Sequence, residues 1–362
     1  MSLKGRIKTA SGILLSVMIV SVAIYCAAAR VSKFFDGDRA AVMSAAFTIS
    51  KGNYCAKVKV NKPEKKKKTD KASVPDDESV ETKPASSDFD SSYYNTFSAH
   101  KSEQTYPVYT KKLTGGGIKY ENFYVKNNTD YKMDIGAELR SELGFSPEKN
   151  SDIQVLVYHT HTSESYLDCD VGYYYSDYYP RTSDNRYNVT AVGEEIVKEL
   201  NRQGIGAVHD KTLHDSTYTG SYYRSCDTVE KYLKKYPSIK VTLDIHRDSI
   251  GSDTYKVKPT FTYKGKKGAQ IMIMSGYDPF GEYDFPNWNY NLRFALRLQQ
   301  MCETKFSGMT RPLYFGEFVY NMHINTGSLL IEVGTDGNTL SEARYSGKLL
   351  GKALAQVLQN TA

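Results

Sequence analysis

The fold of this chain is decided by the stretch Val155-Leu156-Val157-Tyr158-His159-Thr160-His161-Thr162-Ser163-Glu164-Ser165-Tyr166. It opens as an apolar run and closes with histidine, threonine, serine and glutamate side chains. A short apolar run bounded by polar residues is typical of a buried strand. In open α/β sheets, ligands bind in the crevice at the carboxyl ends of the strands. The sequence therefore predicts that this strand delivers its polar end to a ligand site.

The polar end of this strand has a spacing that suits a metal ion. Two residues separate His161 from Glu164, so an imidazole and a carboxylate can reach the same ion. Histidine and carboxylate ligands with no cysteine nearby are typical of a catalytic zinc, which keeps an open position for water. The alternative is structural: the histidines cap the strand and the glutamate is solvated. Two later segments favour the metal site.

Those two segments are strands that end in the same kinds of side chain. An apolar run at 239–246 ends in His246, and another at 328–332 ends in Glu332. Two imidazoles and one carboxylate form a known catalytic zinc shell, so we predict that the strand-end histidines and Glu164 bind Zn²⁺. A hydrolase also needs a base for the attacking water, and a partly buried Glu332 fits because burial raises the pKa of a carboxyl group.

Two other histidines are weaker candidates for the site. His159 lies two residues before His161 and can replace it as a ligand or support the site through a hydrogen bond. His323 precedes the Glu332 strand and can line the cleft.

Several enzyme and module classes are disfavoured by the sequence. There is no G-x-S-x-G nucleophile motif, and no phosphate-binding or dinucleotide-binding glycine pattern. The 5 cysteines are scattered and form no C-x-x-C pair, so neither a disulfide framework nor a cysteine-rich zinc module is indicated.

Strands and helices alternate through most of the chain after residue 130. Amphipathic spacing predicts helices at 192–200, 226–236, 289–306 and 341–358. Residues 258–263 and 270–275 are predicted to be two strands joined by a turn at 264–268. The Tyr-rich insertion at 168–187 is predicted to be a substrate-facing lid, with a packed loop as the alternative. We therefore predict an α/β fold with a mainly parallel twisted sheet flanked by helices.

The N-terminal residues, 1–33, are predicted to form a cytoplasmic N-terminus and a membrane anchor. Residues 13–29 carry no charge and are close to the length that spans a bilayer as a helix. Basic residues before the stretch favour a cytoplasmic N-terminus, with the rest of the chain outside. A cleaved signal peptide, for which 27–29 supply small residues, is the alternative.

The remaining residues divide into a tether and a domain. From residue 62 onward the tether has few large apolar side chains, so 34–104 is predicted to be extracytoplasmic and largely disordered. Residues 105–362 are predicted to form the catalytic domain.

The charge of the chain is uneven. The net charge is +6 over 362 residues, and much of the excess lies before residue 70. Such an excess of positive charge favours contact with an anionic membrane or cell wall, and we expect no nucleic-acid partner. The 30 tyrosines offer flat apolar faces with polar tips, which suit sugars, although a Tyr-rich surface explains most of them equally well.

Three segments together resemble the stage II sporulation protein P family: Tyr158–Tyr166, Leu243–Asp248 and Glu332–Asn338. The resemblance covers about 105–362, and an anchor followed by a tether also fits it. It implies a membrane-anchored peptidoglycan hydrolase of endospore-forming bacteria, placed between the membranes of the sporulation septum. It further implies that the protein acts with stage II sporulation proteins D and M during engulfment.

The family is similar to zinc N-acetylmuramoyl-L-alanine amidases, and this similarity implies roles for particular residues. It makes His161 and His246 zinc ligands and Glu332 the catalytic glutamate. In those amidases the middle ligand usually stands at the start of the next helix, where this chain has Glu194 and Glu195 slightly later. Glu164 resembles the HxxE pair of zinc carboxypeptidases instead, and we predict Glu164, with the two helix glutamates in reserve.

The favoured interpretation is a zinc-dependent amidase that cleaves the bond between muramic acid and the stem peptide. The resemblance also implies endopeptidase activity on peptide cross-links. The alternatives are a zinc carboxypeptidase of wall peptides and a wall-binding scaffold with an inactive site. An intact Glu332 counts against the scaffold, because binding alone needs no base.

Overall fold

The computed structural model of the protein describes residues 102–148 and 152–361. The strands of this part of the chain are β1 Thr105–Lys111, β2 Ile118–Tyr120, β3 Phe123–Asn127, β4 Ile153–Tyr158, β5 Tyr173–Tyr175, β6 Gly206–His209, β7 Val241–Asp248, β8 Gly251–Ser252, β9 Tyr255–Tyr263, β10 Lys266–Ala269, β11 Ile271–Gly276, β12 Leu313–Gly316 and β13 Ser328–Thr335. The helices are α1 Ile135–Arg140, α2 Val189–Arg202, α3 Ser221–Lys235, α4 Trp288–Lys305 and α5 Leu340–Thr361, with a 3-10 turn at Met322–Ile324.

The main sheet has the strand order β2-β3-β12-β11-β13-β7-β4-β6. Its pairs are parallel except for β2 with β3 and β11 with β13. Crossover helices join the parallel strands, as this topology requires. The predicted mixed α/β architecture is confirmed.

The core lies where alternate strand residues meet helices on either side of the sheet. Val157, Ile245 and Ile331 belong to the large apolar cluster that includes residues of α2, α4 and α5. On the other side, Leu156 and Tyr158 pack against Val229 of α3. All eight residues of β7 are buried. Burying one large aliphatic side chain contributes about 1.5–3 kcal/mol, so this burial anchors the strand that carries His246.

Helix α2 begins where the sequence supplies a cap. The side chain of Asn188 accepts a hydrogen bond from the backbone N–H of Thr190 at 3.0 Å. Val192, Ile196 and Leu200 then recur every four residues and are fully buried. The predicted helix at 192–200 is therefore real and one turn longer at its N-terminus, because the cap lies before the apolar stripe.

A second, smaller sheet was not anticipated from the sequence. It has the order β10-β9-β1-β5, with β8 paired to β9. The prediction of a hairpin between 258–263 and 270–275 is wrong. Strand β9 turns at Lys264 and Gly265, both with positive φ, and pairs with the short β10, whereas β11 lies in the main sheet beside β13. Strand β10 lacks apolar alternation, so it gave no strand signal.

Part of the Tyr-rich insertion packs into this smaller sheet. Strand β5 pairs antiparallel with β1, and Tyr174 is buried against Val108. A further part pairs with the loop after β4 through an isolated bridge between Glu164 and Arg181.

Several predictions fall outside the described residues. The apolar stretch at 13–29 and the tether up to residue 101 lie there. Within 102–148 and 152–361, no helix combines the length and apolar character that a membrane crossing needs.

Candidate active site

The register of three neighbouring strands brings the polar residues of the site together. Strand β7 lies between β4 and β13, and its residues Asp244, His246 and Asp248 alternate onto one face. His246 pairs in register with Glu332 of β13, and Asp244 pairs with Tyr158 at the end of β4. The loop after β4 therefore emerges directly beside this polar face.

Asp244 fixes the loop that carries the first predicted ligand. Its carboxylate accepts hydrogen bonds from the N–H of Thr160 at 2.8 Å and from the Thr160 hydroxyl at 2.6 Å. The chain then turns, with the Glu164 N–H donating to the His161 carbonyl at 3.1 Å. Both His161 and Glu164 are buried as a result.

His161 sits among aromatic rings. Its ring stacks on Tyr218 at 4.6 Å between centroids and meets the ring of His246 edge-on at 5.3 Å. Burial lowers the pKa of His161 to about 4, although the Glu164 carboxylate acts in the opposite direction. The imidazole is therefore neutral at physiological pH, which is the form that binds a metal.

Glu164 is held as a carboxylate. Its Oε2 accepts the backbone N–H of Arg247 at 3.1 Å and lies 3.5 Å from Nδ1 of His246. Its Oε1 lies 3.6 Å from Nη2 of Arg181. Burial alone would raise its pKa, but the charge of Arg247 and the contact with His246 hold that pKa well below the usual range.

His246 lies between two buried carboxylates. Its Nε2 is 2.9 Å from Oδ1 of Asp244, an ion-pair distance without the geometry of a hydrogen bond, and its Nδ1 faces Glu164. Burial would lower its pKa, but the two carboxylates outweigh burial and raise the pKa well above the usual value. One imidazolium thus balances two acidic groups in the described structure.

Glu332 is half-buried, and one of its carboxylate oxygens is fully buried. No group within the described ranges hydrogen-bonds to its buried Oε2. Burial raises the pKa of Glu332 to about 8, and the neighbouring carboxylate of Asp248 adds to the rise. Asp248 itself is held by Nη1 of Arg311 at 2.7 Å. The prediction that β13 ends at Glu332 is wrong, because β13 continues to Thr335 past a break in register after Glu332.

His159 lies beside the site and does not enter it. Its Nδ1 is 2.9 Å from the carbonyl of Ile245, and its Nε2 is 2.8 Å from Nε2 of His209. A side chain at Gly193 of α2 would collide with both imidazoles, so this pair packs against α2. Both nitrogens of His159 are engaged, and the bond to Ile245 fixes the backbone next to His246.

The two reserve glutamates lie away from the cleft. Glu194 is an exposed partner of Lys211 at 2.8 Å, and Glu195 pairs with Arg344 at 2.5 Å. His323 lies in the 3-10 turn, where burial lowers its pKa and its Nδ1 has no hydrogen-bond partner in the described ranges. The structure therefore groups His161, Glu164, His246 and Glu332, and it leaves the helix glutamates outside that group.

Some residues around the site were not predicted from the sequence. Asp244 and Asp248 alternate with His246, so a period-two reading of β7 would have found them. Tyr218 and Tyr222 come from segments without a distinctive pattern, and Arg181 comes from the Tyr-rich insertion at 168–187, in which nothing marked this arginine. Only the folded chain brings them to the strand ends.

The donor chemistry of this group suits a metal ion, although its present geometry does not form a cage. In the described ranges, no three His, Cys, Asp or Glu side chains surround a common point closely enough to hold a metal. The His246 imidazolium instead contacts the carboxylates of Asp244 and Glu164. The group nonetheless offers two imidazoles and a carboxylate, which are the ligand types that zinc takes.

Comparison with known proteins identifies the family. The family described as stage II sporulation protein P matches residues 36–355. The chain belongs to this family. Its member from Bacillus subtilis (strain 168) is 31% identical over 215 residues, which are 56% of this chain and 50% of that protein. The chain thus spans about half the length of this curated relative of the stage II sporulation protein P family.

Solved structures of amidases are distant neighbours of this family member. The N-acetylmuramoyl-L-alanine amidase AmiC2 of Nostoc punctiforme is 12% identical, with a TM-score of 0.34 over 57% of this chain and 96% of its own. The CwlD amidase of Clostridioides difficile, solved with the GerS lipoprotein, is 11% identical, with a TM-score of 0.34 over 57% of this chain and 98% of its own.

Proposed function

We propose that the protein is a zinc-dependent N-acetylmuramoyl-L-alanine amidase that degrades septal peptidoglycan during sporulation engulfment. One observation carries the proposal. Glu332 is half-buried, its buried Oε2 has no hydrogen-bond partner among the described residues, and it stands in register beside His246, which contacts both His161 and Glu164. Membership of the stage II sporulation protein P family supports a role in sporulation and in hydrolysis of the cell wall.

The proposed zinc ligands are His161, Glu164 and His246. When bound, a zinc ion polarises the scissile carbonyl and lowers the pKa of water. The chain supplies the support for these ligands. The backbone N–H of Arg247 orients Glu164, and Asp244 stands against the far nitrogen of His246, as a carboxylate commonly does behind a ligating histidine.

Glu332 is proposed to move the proton. Water attacks the amide carbon, so a carbon–oxygen bond forms while Glu332 takes a proton from the water. The same proton then passes to the amine nitrogen of the stem peptide as the carbon–nitrogen bond breaks. A pKa of about 8 is close to the working pH of most enzymes, where one group can both accept and return a proton.

A second candidate, a zinc carboxypeptidase or endopeptidase of wall peptides, has one observation in its favour. Arg181 of the Tyr-rich insertion reaches the site and lies 3.6 Å from Glu164, with 23% of its side chain exposed. A guanidinium at this position can pair with a peptide carboxylate. The third possibility, an inactive wall-binding scaffold, gives no reason for a carboxylate beside His246 whose buried oxygen has no hydrogen-bond partner among the described residues.

A digest of purified peptidoglycan by the full chain, analysed by mass, tests these functions. We expect free stem peptides and glycan strands without peptides, because the amide at muramic acid is cut. Shortened stem peptides that remain on the glycan would replace the amidase with a carboxypeptidase. Separated cross-links with intact stems would indicate an endopeptidase. Peptidoglycan that remains uncut when zinc is supplied would indicate an inactive wall-binding scaffold.

We also propose that the protein is a single-pass membrane protein with its catalytic domain outside the cytoplasm. The uncharged stretch at 13–29 carries this proposal. Stage II sporulation proteins D and M are the proposed partners, by family membership. We expect the full chain to remain in the membrane fraction after a high-salt wash, because buried apolar surface does not respond to screening. Release into the wash, or a mature N-terminus beyond residue 29, would contradict the uncleaved anchor.

A further inference from the structure

One half of the main sheet has a face that aromatic rings cover. Alternation on β11 and β13 places Met272 opposite Glu332 and Met274 opposite Leu330, on the face that carries the proposed base. The partly buried side chains that pack on this methionine and leucine cluster are those of Tyr314, Phe318 and Tyr320. Helix α4 lies on the other side, against the intervening isoleucines of β11. The surface next to Glu332 is therefore made of rings and thioethers.

The rings form a continuous row that starts at the site. Tyr222 lies nearly parallel to His246 at 6.4 Å between centroids and stacks on Tyr320 at 5.3 Å. Tyr320 stacks on Phe318 at 5.0 Å, and Phe318 stacks on Tyr314 at 5.7 Å. We call these four rings, Tyr222, Tyr320, Phe318 and Tyr314, the aromatic row.

The segment that carries the middle of the row is held in place by its neighbours. A Cβ on Gly276 would lie 2.2 Å from the carbonyl oxygen of Phe318, so the segment lies directly on the glycine. Tyr320 and Asn321 both have positive φ, which asparagine tolerates and which is strained for a bulky residue such as Tyr320. The Asn321 amide donates to the carbonyl of Tyr222 at 3.0 Å and to Ser225 at 3.0 Å, which ties the segment to α3. Strain maintained in this way is typical of functional segments.

Charge differs between the two ends of the site. The aromatic row itself carries no charge, and Lys126 meets it at its far end, 5.8 Å above the ring of Tyr314. Arg181 instead lies 5.6 Å from the centre of the Tyr218 ring, which stacks on His161, and it is paired with Asp215 at 2.8 Å and with Glu164. A neutral ligand suits the row, and an anionic ligand suits the Arg181 side.

We propose that the aromatic row binds the neutral glycan strand, so that the stem peptide extends from the site toward Arg181. This proposal rests on the proposed amidase function, in which the scissile bond joins a neutral saccharide to a peptide rich in carboxylates. Sugar rings present C–H faces to aromatic rings, and tyrosine hydroxyls offer hydrogen bonds at the ring edges. The row thus sets the direction in which the substrate crosses Glu332.

Binding of N-acetylglucosamine oligomers to the full chain in detergent, measured by calorimetry, tests the proposal without any hydrolysis. Phe318→Leu and Tyr314→Leu keep an apolar cover over the methionines and remove one ring each. We expect each to weaken binding by about two- to tenfold, the usual contribution of one aromatic contact. Tyr109→Leu is the matched control, because Tyr109 is 50% exposed on β1 of the smaller sheet. The control should bind as the wild type does.

The possible outcomes separate this proposal from the proposed reaction. Unchanged oligomer affinity in folded Phe318→Leu and Tyr314→Leu, or no binding by the wild type, would overturn the glycan assignment. If these variants bind a free stem peptide more weakly and the oligomers as before, the row binds the peptide. That result would reverse the proposed direction and overturn the glycan assignment. A failed peptidoglycan digest leaves this result standing, because the binding assay does not depend on catalysis. Far-ultraviolet circular dichroism and a thermal melt verify that both variants fold.

Discussion

Glu332→Gln should lower peptidoglycan hydrolysis by about 10²–10⁴-fold, the usual contribution of a general acid–base group. Glutamine keeps the shape of the side chain and cannot accept the proton of the attacking water. His161, Glu164 and His246 are untouched, so zinc content and binding to sacculi should remain at wild-type levels. Released stem peptides measured by mass and zinc measured by atomic absorption give the two readouts. Glu317→Gln makes the same chemical change at an exposed position and should leave both unchanged.

The stability of Glu332→Gln provides an independent check. Burial raises the pKa of Glu332 from 4.5 to about 8, so the folded chain binds this proton more tightly than the unfolded chain does. The contribution of Glu332 to the free energy of unfolding of the wild type therefore falls as pH rises from about 4.5 toward 8. Glutamine does not titrate, so the variant should lose this dependence and melt no lower than the wild type near neutral pH.

Two results would contradict the role of Glu332. Loss of zinc from a folded Glu332→Gln would make Glu332 a ligand and leave the base to be found. Hydrolysis near the wild-type rate with zinc retained would assign the proton to another group in the cleft.

The strands that build the site could be predicted because their signal is local. The runs that became β4, β7 and β13 are apolar and β-branched, and each leads into polar residues, so sequence alone indicates strands that end at a site. The fold then placed the ends of β4 and β7 side by side, as parallel strands require. That His246 stands opposite Glu332 depends on the register of β7 and β13, which the local pattern does not determine.

The parts that could not be predicted depend on contacts between distant segments. Strand β10 is four residues long with no apolar alternation, and it exists because β9 pairs with it. The aromatic row joins Tyr222 of α3 to Tyr320, residues about a hundred positions apart, and nothing local marks these rings among 30 tyrosines. Asp244 and Asp248 are the exceptions, because their alternation with His246 is visible in the sequence of β7.

His246→Ala should remove both zinc and activity. Loss of a supporting partner behind a ligand typically costs about 10–100-fold in metal affinity, so loss of a ligand itself should cost at least that much. Glu164→Ala should behave in the same way if Glu164 is the middle ligand. Glu194→Ala is its control, since Glu194 is exposed and paired with Lys211. Zinc titration of each purified variant ranks these residues directly, and unchanged zinc affinity in His246→Ala would remove His246 from the site.

His246→Ala also leaves Asp244 and Glu164 buried without the imidazolium between them. Removal of one partner from a buried ion pair typically costs about 3–5 kcal/mol, so the free energy of unfolding should fall by that order in the metal-free chain. A metal-binding defect must therefore be separated from unfolding. His246→Asn keeps a polar side chain that donates a hydrogen bond to one carboxylate, and it should restore part of the stability. If His246 is a ligand, the asparagine variant recovers its fold and stays deficient in zinc and in hydrolysis. If zinc returns together with the fold, His246 acts through structure alone, and the ligand set must be sought elsewhere around Glu164.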